Sequence, residues 1–474
     1  MKATRSKVLG STVLVTALAL LAGCASTGSH RLKDPAVAAS YGLGDSTKNA
    51  PASDIALAQK HDAKDITKDT WWVGFGDERL SRLVARMLEV NTDLASAGFR
   101  LQRARYNAGL ATDDLLPHLD AQGSAGYSKQ LSGSSSGVRS YNTSATLSFE
   151  LDLWGRLRTQ RSIAKWEAQA TEQDLQTTFL SLVGDTCDIY WTLAFLNQRI
   201  AAGDESIARL ERTLSLVRTQ YDAGAVSRLE VREAEQNLQS QQAAQSQLIQ
   251  QRVEVRNSLT VLLDGHPWPQ QDEPSSMTNA HSPAIEAGVP AELLGRRPDL
   301  QAAELRLRES LAQIKVVRTS YYPAINLTGS VGGTSTSLSD VLAHPVETLG
   351  AGLSLPFLHW NEARLNTRIA GTEYEIAAND FRTTLYTAFT EVDNALSARQ
   401  ELAKQVDLSQ QSFDAAVEVE RLYEVRYRAG ATPLRSWLDA QETRRSAELA
   451  LAQTRLSQLQ NDSQLFQALG GSSR

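Results

Sequence analysis

Among residues whose type and spacing could carry chemistry, "GSSSG" beginning at Gly133 satisfies the G-x-S-x-G pattern of a serine nucleophile. That chemistry needs a strand-turn-helix elbow to raise the serine. Here the pentapeptide falls in a Gly/Ser loop between two strand-like segments, so no hydrolase is read from it. The 7 histidines are scattered, with no H-E-x-x-H and no close Cys/His cluster, so neither a metal site nor a bound cofactor is expected. The chain is expected to be no enzyme.

Cys24 offers chemistry of another kind. Lys2, Arg5 and Lys7 precede the apolar run "VLGSTVLVTALALLAG", which reads as an export signal. "LAGC" resembles the lipobox of bacterial lipoproteins, in which Cys24 becomes the acylated first residue, and Ala25 after it fits the outer-membrane-sorted class. Ala17-Leu18-Ala19 is a competing A-x-A cleavage site. Removal of residues 1–23 leaves 45 basic and 54 acidic residues, a net charge of −9, which argues against a nucleic-acid partner. Cys187, alone in a helical stretch once Cys24 is modified, is expected to pack.

The elements are written twice. "YDAGAVSRLEVREAE" at Tyr221 reappears as "YRAGATPLRSWLDAQ" at Tyr427, and the same offset of 206 relates Asp93 to Asp299, Pro117 to Pro323, Trp154 to Trp360 and Gly265 to Gly471. The chain divides into a signal at 1–23, an anchor and equatorial segment at 24–76, repeat one at 77–265, a Pro-rich connector at 266–285 and repeat two at 286–471.

Each repeat begins with a helix-like stretch, Asp77 to Leu116 in the first, closed by Pro117. The period then becomes two: Tyr141, Thr143, Ala145, Leu147, Phe149 and Leu151 alternate with polar neighbours, after the weaker alternation of "HLDAQGSAGYSKQ". "AINLTGSVGG" and "TLGAGLSLPFL" repeat this, so four strands are expected per chain. A helix of about 66 residues from Arg156 to Tyr221 and one of about 37 from Ser227 to Leu263 follow, roughly 100 Å and 55 Å long. The Asp77–Leu116 stretch adds about 60 Å, so the two shorter helices laid end to end match the long one. Between them Gly224 suits a left-handed helix stop, while Ser227 and Glu230 have capping-box spacing. Val231, Ala234, Leu238, Gln241, Gln245 and Leu248 form a heptad seam with polar places, read as a helical wall wetted on one side.

Four amphipathic strands cannot close a barrel, and lipid does not tolerate an open sheet edge. Two chains would give eight strands and a filled interior; three give twelve and a water-filled lumen. No apolar stretch outside the signal is read as long enough for a membrane helix.

This order of elements, with "TWWVGFGDERL" near the start and "LAGC" before it, resembles the outer membrane efflux proteins of the TolC superfamily, and among them the lipoprotein outer-membrane factors of RND-type pumps, the OprM/NodT-like group. The resemblance implies a mainly α, TolC-like fold of two tandem repeats. It implies a homotrimer with a 12-stranded β-barrel in the outer membrane and a long periplasmic α-helical barrel. A periplasmic adaptor, an inner-membrane RND pump and outer membrane lipid are its implied partners, and small molecules leave through the lumen. A type I secretion exit duct and a non-conducting envelope scaffold are the alternatives; the strands disfavour the scaffold, and the lipobox and "WW" start disfavour the secretion duct.

The resemblance also places a gate at the helical tips, carried here by Tyr427 in "RYRAG" and Asp439 in "LDAQ". Three copies of Asp439 would form a carboxylate ring favouring cations. Glu442 stands where the family often has Arg, and Ser436 where another member has a second Asp, so Glu230, Arg435, Arg444 or Arg445 would supply the partners. Gly224, Ala225, Gly430 and Ala431 are small enough for an adaptor's own tip to approach, with Thr432 and Pro433 capping and starting the next helix. Trp154 and Trp360, where strands give way to helices, fit interfacial anchors or packing under the barrel rim.

Overall fold

The computed structural model describes residues 69–129, 131, 137–277, 281–285 and 292–471; the signal, Cys24, most of the expected anchor segment and most of "GSSSG" lie outside them. The helices are α1 (Glu78–Val90), α2 (Thr92–Asp113), α3 (Arg156–Asp222), α4 (Arg228–Leu262), α5 (Leu293–Arg296), α6 (Pro298–Thr319), α7 (Trp360–Arg428) and α8 (Leu434–Ala468). The strands are β1 (His118–Ser128), β2 (Val138–Leu151), β3 (Ala324–Ser335) and β4 (Val346–Ser354). Adding the 206-residue offset to α2 and α4 reproduces both bounds of α6 and α8, so the repeat extends to the helix ends.

One expected helix is two. The Asp77–Leu116 stretch breaks at Asn91, whose extended backbone (φ −65°, ψ 126°) ends α1 and whose Oδ1 accepts from the Asp93 and Leu94 amides to start α2. An Asn before an acidic first turn is a cap signal in its own right. The 22 residues of α2 and the 35 of α4 therefore total somewhat less than the 67 of α3, and α1 belongs instead to a thicker belt at mid-height.

That belt holds most of the core. Trp71, Trp72 and Phe75 lie buried with Leu80, Leu83, Val84 and Met87 of α1 against Phe179 to Leu196 of α3 and Leu456 to Phe466 of α8. Trp71 stacks on Phe466 at 4.9 Å, and the Tyr190 hydroxyl donates to Asp77 at 2.6 Å. Cys187 is fully buried here. An 18-residue window of α3 reaches a mean hydropathy of 1.2, which corrects the expectation that no such stretch exists; 72% of it is buried inside the fold, as a core helix requires.

The strands form one antiparallel sheet, β1-β2-β3-β4. Cross-strand partners share a face, and the register carries one apolar face across all four: Leu119 opposite Leu147, Ala121 opposite Ala145, Phe149 opposite Leu327, Leu151 opposite Ile325, and Leu353 opposite Ile325 in turn. The other face carries Asp120, Gln122, Thr146, Ser148, Asn326 and Thr328. Both edges, on β1 and β4, are unpaired among the described residues.

Candidate functional site at the helical tips

Two helix reversals make the tips. After α3, Gly224 adopts φ 73°, the left-handed region where a side chain would be strained, and the Ala225 amide reaches back to the Gln220 carbonyl at 2.8 Å. Ser227 and Glu230 complete the expected capping box for α4. After α7, Gly430 repeats the turn at φ 71° with the Ala431 amide on the Arg426 carbonyl. At α8 the expectation fails in part: Pro433 is the cap residue itself, without a side-chain cap bond, and the Thr432 hydroxyl is buried without a partner among the described residues. Gly224, Ala225, Gly430 and Ala431 are all exposed, and nothing lies within 4 Å of where a Cβ would stand on either glycine.

Behind the turns the two repeats lock together. Tyr427 of α7 is 7% exposed, stacks on Trp437 of α8 at 5.3 Å, and packs with Val217 of α3, Leu434 and Leu438. Its hydroxyl donates to Oε1 of Gln220 on α3 at 2.6 Å. Burial raises the Tyr427 pKa above that of an ordinary phenol, and the charge of Glu230 adds to the effect. Glu230 itself is held below the usual carboxylate range by the Ser227 hydroxyl. Two of the expected gate residues thus lie close enough to sense one another.

Asp439 stands apart from that cluster. Its side chain is 72% exposed, and its one ion-pair partner among the described residues is Arg435, one turn away, at 3.9 Å. It lines a polar cleft of about 250 Å³ between α3, α4 and α8 with Gln241, Gln441 and Glu442. Arg445 pairs with Glu442, while Arg444 is engaged by Glu420 at 2.5 Å and Glu448 at 3.2 Å. Of the cations named as substitutes, Arg435 is the one that pairs with Asp439 among the described residues.

Sequence reasoning missed Gln220 and Trp437. Trp437 could have been found, being a rare aromatic one helical turn after Pro433; Gln220 had no signal among many helical glutamines. The polar seam of α4 also reads differently: Gln241 and Gln245 are largely buried, Gln241 at the floor of that cleft and Gln245 against α3. Gln245 seats on Gly203 and donates to the Ile200 carbonyl at 2.9 Å and to Asp204 at 2.7 Å. Where the sheet meets the helices, the Trp154 indole donates to the Pro323 carbonyl at 2.7 Å and meets Tyr322 edge-on, whereas Trp360 is 69% exposed.

Comparison with known proteins gives a consistent picture. The model of the family described as outer membrane efflux protein matches residues 83–265 and again residues 289–471. The chain is 30% identical to the pyoverdine export outer membrane protein OpmQ of Pseudomonas aeruginosa, covering 97% of this chain and 96% of that one. It is 29% identical to the toluene efflux pump outer membrane protein TtgC of Pseudomonas putida, over 95% and 93% of the two chains. Among solved structures, the open state of the MtrE outer membrane channel of Neisseria gonorrhoeae superposes with a TM-score of 0.78 at 27% identity, covering 93% of this chain and 97% of that one.

Proposed function

The chain belongs to the outer membrane efflux protein family, and from that premise we propose that three copies close one β-barrel and one helical tube to form the exit duct of a tripartite efflux system for small toxic molecules. The carrying observation is the sheet: one mainly apolar face shared by four strands, with two edges unpaired among the described residues that lipid would not tolerate unless neighbouring copies pair them. Twelve strands leave a water-filled lumen where eight would be filled by side chains. The duct moves nothing by itself; an inner-membrane RND pump supplies the energy, and a periplasmic adaptor seats on the exposed turns at Gly224, Ala225, Gly430 and Ala431. Acylation of Cys24 anchors each chain to the outer membrane.

Supporting this reading, the relatives are named for export of pyoverdine in one case and efflux of toluene in another. The test is expression in an efflux-deficient Gram-negative host beside a cognate adaptor and pump, with purification of the intact oligomer. Restored drug tolerance, a mass of three chains and ion conductance in planar bilayers are expected. A monomer, or a bilayer without conductance, overturns the duct. Mass spectrometry of the mature N-terminus tests the anchor, and an unmodified Cys24 overturns it. Ala431→Trp tests docking more cleanly than a change at Gly430, because φ 71° at Gly430 would strain any side chain. Loss of adaptor crosslinking with the trimer intact is the expected result, and undiminished crosslinking removes the contact.

A further inference from the structure

The apolar face of the sheet does not end alike in the two repeats. At the loop end of β1 and β2, Tyr127 stands directly opposite Arg139 on that face. Tyr141 follows on the same face, and Lys129 stands one residue past the end of β1, two beyond Tyr127. The Tyr127 hydroxyl fills the space a Cβ at Gly137 would need, so the ring is laid across the strand ends. Arg139 and Lys129 are exposed, and among the described residues no carboxylate pairs with either. Repeat two keeps the apolar pattern but not this group: the positions 206 residues on are Gly333 for Tyr127, Ser335 for Lys129 and Pro345 for Arg139. The fold therefore has no need of two cations and a tyrosine there.

This end of the hairpin is the far one from the helices, since α2 enters β1 at His118 and β2 leaves toward α3 at Leu151. Resting on the duct reading above, with the helices in the periplasm, the hairpin end meets the outer leaflet at headgroup depth. We propose that Arg139 and Lys129, flanked by Tyr127, bind the phosphate of an anionic glycolipid headgroup in that leaflet, one site per chain around the barrel rim. Tyrosine rings prefer this depth because one end is apolar and the other wet. Arginine can grip a phosphate with two parallel donors, while lysine adds a point charge. Glu347, the one acid on the same face of β4, stands opposite Val331, well down β3 from the Ser335 that faces Tyr141, and does not oppose the site.

The trimer is reconstituted in phosphatidylcholine nanodiscs doped with diphosphoryl lipid A or with its dephosphorylated form, and lipid retained through delipidating washes is counted by native mass spectrometry. Preferential retention of the phosphorylated lipid is expected, falling about fivefold in Arg139→Gln and again about fivefold when Lys129→Gln is added. Glu347→Gln should retain lipid as the parent does. Equal retention of the two lipids, or unchanged retention in the double variant, overturns the site. Full displacement by inorganic phosphate also overturns it, because the seat would then be for the free ion. A chain that fails to insert or conduct overturns the duct reading itself, whereas a conducting trimer without phosphate preference overturns the headgroup site alone.

Discussion

Asn91 donates its side-chain amide to the Leu262 carbonyl at 3.0 Å, tying the first turn of α2 to the last turn of α4. The pair recurs 206 residues later in other chemistry, where Arg297 donates to the Ala468 carbonyl at 3.1 Å while holding Asp299 and Glu391. Each joint lets two short helices follow one another alongside a continuous long one, α3 or α7. An unsatisfied carbonyl at a buried helix end would otherwise cost stability.

Asn91→Ala removes both the cap of α2 and the donor to Leu262, so a loss of about 1–3 kcal/mol is expected. Asn91→Asp keeps the cap but not the donor and should fall between. Chemical unfolding of the detergent-solubilised protein measures both; no loss in Asn91→Asp would mean that the Leu262 contact contributes nothing, and equal losses that the cap contributes nothing.

Tyr427→Phe keeps the stack on Trp437 but leaves Gln220 Oε1 without its donor. A leakier resting channel is expected, read as a higher open fraction in planar bilayers and as entry of a large antibiotic. Gln220→Leu should have the same effect, and the two together little more than either, with a coupling of about 1 kcal/mol. Strict additivity would show that the two groups do not act through one another.

Asp439→Asn should leave stability within about 0.5 kcal/mol, because an exposed pair at this separation contributes little. Reversal potentials in a salt gradient should nonetheless show weaker cation preference if three copies line the lumen. Unchanged selectivity would remove the carboxylate ring.

Asp188 has its pKa raised from 3.8 to about 7 by burial and by the neighbouring Asp185. For an acid shifted upward the folded state holds the proton longer than the unfolded one, so stability falls as pH rises through that window and levels off above it. Asp188→Asn should flatten the fall, narrowing the gap in thermal midpoint between about pH 4 and about pH 8 relative to the parent. An identical pH dependence in both proteins would refute the assignment.

Much of this was legible because the signals are local. Gly224 and Gly430 stop helices through their own backbone freedom, Ser227 and Glu230 are three residues apart, and alternation in Tyr141 to Leu151 needs no distant partner. The repeat offset did the rest, converting one weakly patterned hairpin into two. Asn91 was missed because a long helical period on both sides outweighed a single cap residue. Gln220 was missed because its importance lies wholly in a partner on another helix.

By itself, then, the sequence determined the elements, their duplication and the demand that amphipathic strands find neighbours, since helix stops, caps and strand period act over a few residues. Only the tertiary structure decided that one mainly apolar face is shared by four strands, that Gln245 seats on Gly203, and that Tyr427 reaches Gln220 instead of Asp439. Those outcomes depend on how helices and strands distant in sequence slide against one another. That register is fixed by packing across the interface and leaves no mark in either segment alone.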